Sequence, residues 1–419
     1  MSGFVIEPKP AAHFGVGAVG KLPGIVRGVG ADHVVVVTDA ALAVSPVLTQ
    51  VLDILLDAGL PCHVFSGVHP NPTTDDLAAG AAAVADAAAH AAVAEAAATV
   101  AATLKASAPA APGTSAPGGI ALVAVGGGSP IDAAKGIALA AANPERGRSV
   151  ALEAGRVRGH FAVPGLPIVA VPTTAGTGAE ANPFGVVTDA ATHRAFYAGH
   201  ASTMPAAAIL DPALTVGLSP AATAATGIDA LTHALESYLS LRPNPWSDGL
   251  ALQAIRMIAA NLPRAVRDGT DTEARSQLLL AAHLAGVAMA DTGLGVCHAI
   301  GHSLGGRWNI SHGVALSMLL PDVLRFNLPV RTQRLADIAF ALSIGDTHQT
   351  QARNAAAAID AVAALRDRIG LTAVLVDFGI TEADFAQIAA DALDDEVLLS
   401  APRPPTQAHI RALLSGRVD

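Results

Sequence analysis

What limits this chain most is the point at which its strands stop. Residues 33–37 (HVVVV), 62–65 (CHVF), 120–125 (IALVAV) and 167–171 (PIVAV) are short, apolar runs, with further strands expected near 186–189 and 206–210. Runs of this length and composition suit buried parallel strands. After Asp211-Pro212 the pattern changes, and helices are expected over 219–240, 247–260, 271–290, 296–304, 312–326, 331–342, 350–369, 381–393 and 406–414. The expected architecture is an α/β domain with a parallel sheet over residues 1–211, followed by an all-helical domain over 212–419.

The carboxyl ends of the expected strands carry the first chemistry. HVVVV ends in Thr38-Asp39, where a carboxylate can accept hydrogen bonds from a ribose diol or cap the helix starting near Ala41. IALVAV runs into Gly126-Gly127-Gly128-Ser129-Pro130-Ile131-Asp132. The glycines allow close approach of a ligand to the backbone. Ser129 is expected as the N-cap, Pro130 at the first helical position and Asp132 as the capping-box acid, and such a helix start is an anion site. PIVAV ends in PTTAGTG, which sets Thr173, Thr174 and Thr177 at the same sheet edge. A literal G-x-G-x-x-G (Gly15, Gly17, Gly20) follows Pro8 and Pro10 rather than a buried strand, so it reads as a loop entering the first helix.

The helical half carries the second chemistry. Asp229 and His233 are four residues apart, as are His298 and His302, so each pair shares a helix face, and Gly305, Gly306, Trp308 and Asn309 read as a turn leading to His312. A carboxylate with several imidazoles is the donor set of a divalent metal. Spacing alone does not separate His302 from His298 as a ligand. Cys297 adjoins His298 in an apolar run and reads as packing.

Composition removes several classes. A formal charge of −10, with no basic stripe, argues against a nucleic-acid partner. Two cysteines do not make a disulfide framework, and the N-terminus lacks a basic and apolar leader pattern, so a cytoplasmic protein is expected. The alanine-rich run after residue 77 is broken by Asp86, His90 and Glu95, which argues against a membrane span. Residues 77–119 read as a helix plus an exposed, Pro/Gly/Ser-rich excursion from Ser107 to Gly119, with no assigned function.

The blocks GGGSPIDAAKGIAL, PTTAGTGAE, VTD, ATGIDALTHALESYLS and GLGVCHAIGHSLGGRWNISHGVALSMLLPDVLRFN, spanning about Gly126 to Asn327, resemble the iron-containing (group III) alcohol dehydrogenase family. That resemblance implies a Rossmann-like sheet and a helical domain of the dehydroquinate synthase-like fold. It implies Asp229, His233, His298 and His312 as ligands of Fe²⁺ or Zn²⁺, with His302 beside the metal and not a ligand. An imidazole there titrates near neutral pH, so His302 is the catalytic candidate, either as a proton carrier to solvent or as a group that only orients substrate or cofactor. It implies a nicotinamide cofactor held by Gly127, Gly128, Ser129, Asp132, Thr173, Thr174 and Thr177, and apolar substrate contacts from Phe184, Met289 and Leu294. The expected function is hydride transfer between NAD(H) and a small alcohol, aldehyde or ketone, in a homodimer or higher homo-oligomer.

Asp39 favours NAD over NADP, because no Arg or Lys stands at Ala40, Ala41 or Leu42 to offset a 2′-phosphate. One departure from the family stands out. A lysine usually follows the Thr-Asp pair, and here that position is Ala195, with His193 and Arg194 as neighbours. The alternatives are a dehydroquinate-synthase-like lyase, which needs a site rich in Lys and Arg, and a metal-dependent hydrolase, which has no use for a dinucleotide groove.

Overall fold

The computed structural model describes residues 10–105, 119–144, 163–192 and 195–417. Eight strands are present among them: β1 (Ala11–Phe14), β2 (Ala31–Asp39), β3 (Cys62–Val68), β4 (Gly119–Gly126), β5 (Ile168–Pro172), β6 (Phe184–Thr188), β7 (Ala195–Gly199) and β8 (Ala207–Leu210). Between them run α1 (Leu22–Gly28), α2 (Ala40–Ala43), α3 (Pro46–Asp57), α4 (Thr74–Lys105) and α5 (Gly128–Ala142). After the last strand come α6 (Pro220–Leu239), α7 (Pro245–Arg267), α8 (Thr272–Thr292), α9 (Val296–Trp308), α10 (His312–Ala341), α11 (Gln351–Arg368), α12 (Phe385–Leu393) and α13 (Gln407–Leu414).

Six strands form one parallel sheet in the order β1-β8-β5-β4-β2-β3. Alternation along a strand sends successive side chains to opposite faces. Val35 and Val37 accordingly join Leu77 of α4 and Ile131 and Ile137 of α5 in one core, while Val34 and Val36 join Leu22, Val26, Leu48 and Val51 from α1 and α3 in another. With helices on both faces, the strands read as continuous apolar runs. A third core lies mainly in the helical half and is joined by Ala175, Ala208 and Leu210 from the α/β half.

Several helix starts in the helical half are capped locally. Ser219 accepts from Ala222 N at 3.2 Å with Pro220 at the first position of α6, and Asp271 accepts from Ala274 N at 3.0 Å at the start of α8. Helix α10 is long and apolar enough to cross a membrane by length and composition, but 61% of its apolar window is buried within the protein, as in a core helix.

The structure corrects several expectations. A short, mostly exposed edge strand, β1, precedes the G-x-G-x-x-G, paired with β8 from Ala11↔Ala207 to Phe14↔Leu210, and it is not the buried strand a dinucleotide fingerprint follows. The strands near 186 and 195 form a separate antiparallel hairpin, β6–β7, outside the parallel sheet. Gly305 and Gly306 continue α9, and the expected turn shrinks to Asn309, whose φ of 52° ends the helix. The helices expected over 312–326 and 331–342 run together, with a kink at Arg331.

The expected excursion falls outside the described residues except for Gly119, which belongs to β4 and pairs with Ala31. His193 and Arg194 also lie outside the described residues.

Candidate metal centre and cofactor cleft

A cleft of about 520 Å³ opens between the carboxyl edge of the sheet and helices α6, α8 and α9. At its floor, α6 presents Asp229 and His233, one helical turn apart, and α9 presents His298. His312 enters at the first residue of α10. The Nε2 atoms of His233, His298 and His312 stand 3.4, 3.7 and 3.6 Å from one oxygen, Asp229 Oδ1. For bonds of about 2.1 Å, a tetrahedral ligand set has edges of roughly 3.4 Å. Asp229 Oδ1 and His298 Nε2 are both buried without a hydrogen-bond partner among the described residues. Buried polar atoms are normally satisfied, and this pair is placed to share a cation.

The electrostatics agree. Burial lowers the imidazoles of His233 to about 4 and His312 to about 3, which keeps both neutral and their lone pairs available. At His298 burial is outweighed by the carboxylates of Asp229 and Glu236, which raise the imidazole to about 9, so this position favours positive charge. Burial would raise the Asp229 carboxyl, but the imidazoles around it hold it well below the usual range. The donor set fits a divalent metal.

Spacing alone does not show how His298 is aimed. Glu236 lies one turn beyond His233 on α6 and accepts from His298 Nδ1 at 2.6 Å, Gly295 N at 2.9 Å and Cys297 N at 2.8 Å. It therefore fixes the ring so that Nε2 faces Asp229, and it satisfies backbone donors at the start of α9. Cys297 is buried and its thiol points away toward Leu316 O at 3.6 Å, so packing is its role.

His302 differs from His298 in its partner. Its Nδ1 lies 2.6 Å from Asp395 Oδ2, and its ring stacks on His312 with centroids 5.4 Å apart. Asp395 is held in turn by Val397 N at 3.0 Å. No local motif could have paired residues 93 apart in sequence.

The cleft continues to the start of α5, where Gly128 and Ser129 line it together with Thr177, Phe184, Met289 and Leu294. A Cβ on Gly128 would stand 2.7 Å from Thr177 Cγ2, so glycine lets the two loops touch. Asp39, Gly127, Thr173 and Thr174 are not in the cavity wall but lie at the same sheet edge. Asp39 caps α2 by accepting from Leu42 N at 2.8 Å.

The capping expected of Ser129 is wrong: Gly127 is the N-cap, no side chain caps α5, and Asp132 points elsewhere. Asp132 accepts from Val186 N at 3.1 Å and from Lys135 Nζ at 3.2 Å. Lys135, wholly buried, also donates to Phe184 O at 2.6 Å and Asn182 Oδ1 at 3.2 Å. These bonds tie the β6–β7 hairpin, and with it the Phe184 wall, to α5. The only Lys or Arg lining the cleft among the described residues is Arg242, which does not suit a polyanionic substrate.

Residues 9–111 and 114–212 match the family described as iron-containing alcohol dehydrogenase, and residues 223–418 match its C-terminal part. The probable alcohol dehydrogenase EutG of Salmonella typhimurium is 45% identical over 289 residues, covering 69% of this chain and 70% of that protein. The NAD-dependent methanol dehydrogenase of Bacillus methanolicus is 33% identical over 421 residues, covering 99% of this chain and 100% of its own. A solved 1,3-propanediol oxidoreductase superposes with a TM-score of 0.82 at 33% identity, covering 99% of this chain and 100% of that one.

The chain belongs to the iron-containing alcohol dehydrogenase family. It is a metal-dependent, nicotinamide-linked oxidoreductase acting on alcohols and their carbonyl counterparts, which displaces the lyase and hydrolase alternatives.

Proposed function

We propose that this chain oxidises a small, uncharged or modestly polar alcohol with NAD, using ferrous iron held by Asp229, His233, His298 and His312. The observation that carries the reading is the convergence of three Nε2 atoms on one Asp229 oxygen at the floor of the cleft that reaches the start of α5. When bound, the metal supplies Lewis acidity toward the alcohol oxygen, and the nicotinamide supplies the hydride acceptor.

The chain's own groups do the rest. Free backbone N–H groups at the start of α5, with Gly127, Gly128, Ser129 and the nearby Thr173, Thr174 and Thr177, form a cradle for the cofactor phosphates. Asp132 and Lys135 hold the hairpin that carries Phe184, which with Met289 and Leu294 packs the substrate's carbon chain and excludes water. His302, with Nδ1 held by Asp395, presents Nε2 as the carrier of a proton between the reacting oxygen and solvent. Iron-loaded enzyme given NAD and a primary alcohol should accumulate reduced nicotinamide, read by its absorbance. A metal-loaded, folded protein that oxidises none of a panel of alcohols and reduces none of the matching aldehydes would sink the reading.

The preference for NAD rests on Asp39 at the end of β2. One carboxylate oxygen caps α2, and the other is left to accept from the adenosine ribose diol. A 2′-phosphate would bring like charge to contact distance. Asp39→Gly should shift the ratio of kcat/KM for NAD over NADP toward NADP by tenfold or more, about 1.4 kcal/mol. An unchanged ratio would leave Asp39 as a helix cap alone.

A further inference from the structure

We propose that the Tyr197 hydroxyl donates a hydrogen bond to an oxygen of the molecule bound in the reacting part of the cleft, making Tyr197 a specificity-determining residue. The proposal rests on the reading of the cleft as the alcohol and nicotinamide site. Tyr197 sits on β7 and lines the cleft, its ring edge-on to His302 with centroids 6.3 Å apart and planes at 72°. Its oxygen is buried, yet has no hydrogen-bond partner among the described residues. A buried hydroxyl left unpaired is costly, and one left so in the wall of a binding cleft implies a partner that arrives with the ligand.

Two neighbouring features support a donor here. Ala195 faces the same cleft from the same strand without a polar side-chain atom, while Phe196 between them packs into the sheet core, so the hydroxyl is the polar side-chain group that β7 brings to the ligand. Burial, together with the charges of Asp395 and Glu396, pushes the phenol well above its ordinary value and keeps it protonated. The oxygen it serves belongs to one of two sources with the same chemistry: the carboxamide of the nicotinamide ring, or a second oxygen on the alcohol.

The test is Tyr197→Phe in the full-length, metal-loaded protein, which keeps the ring and removes the oxygen. Three quantities are read: the melting temperature of the ligand-free protein, NADH affinity by fluorescence titration, and kcat/KM for 1-propanol and 1,3-propanediol with NAD. The melting temperature should stay the same or rise, because no bond within the protein is lost. NADH affinity should fall about threefold to tenfold if the carboxamide is the partner, or kcat/KM for the diol alone should fall by that factor if the substrate is.

The proposal is overturned if NADH affinity and both kcat/KM values stay within about twofold of wild type. A fall of several degrees in melting temperature also overturns it, since the hydroxyl would then be structural; so does an equal loss for both alcohols with NADH affinity intact. Failure of the underlying reading is separate: wild type itself would bind no NADH and turn over neither alcohol.

Discussion

His298→Ala should empty the metal site and abolish turnover together. In the wild type, His298 Nε2 is buried 3.7 Å from Asp229 Oδ1 with no hydrogen-bond partner among the described residues, and its other nitrogen is committed to Glu236. Removing the ring takes away one of the four proposed donors and leaves Asp229 and Glu236 with uncompensated negative charge in a buried site. A catalytic metal with two remaining imidazoles is poorly held at cellular concentrations, and the Lewis acidity goes with it. We expect a fall in kcat/KM on the order of a thousandfold or more, about 4 kcal/mol, and metal content near zero after gel filtration. Asp229→Ala, His233→Ala and His312→Ala should behave alike, whereas His302→Ala should keep its metal and lose rate. Wild-type metal content in His298→Ala would refute the ligand assignment.

The second large effect is expected at Glu236, which is not in the cleft wall. Its two carboxylate oxygens accept from three donors: Gly295 N, Cys297 N and His298 Nδ1. Glu236→Gln preserves shape but replaces one acceptor by an NH₂ donor. If that group faces Gly295 and His298, the imidazole must turn Nδ1 into an acceptor and carry its proton on Nε2, where the metal would bind. If it faces Cys297 N instead, two donors collide at the start of α9. Either outcome weakens the site, and partners that orient metal-binding histidines are worth about 10- to 100-fold in affinity. A competition titration against a chelator of known affinity checks this. Unchanged affinity would mean that Glu236 only caps α9.

Much of this was legible because it is local. The i,i+4 pair Asp229/His233 and the strand-to-helix turn at Gly126–Asp132 each carry their chemistry within a few residues. Glu236 was within reach of the same reasoning, since Asp229, His233 and Glu236 recur at helical spacing on α6. What separates His298 from His302 was not legible. Their rings sit on one helix, and the difference is made by Glu236 for one and by Asp395 for the other.

Other departures have the same origin. The helix at Gly128 starts before Ser129, so the expected capping acid Asp132 instead receives Val186 N from a hairpin 54 residues away. Such long-range partners replace local capping without any signature in the neighbouring sequence.

Anaerobic removal and return of the metal tests most directly whether a divalent metal at Asp229 drives nicotinamide-linked alcohol oxidation. The chelated protein should stay folded, lose alcohol-dependent NADH formation, and regain it in proportion to added Fe²⁺, saturating at one ion per chain. Full turnover by folded protein from which all metal has been stripped would contradict the account.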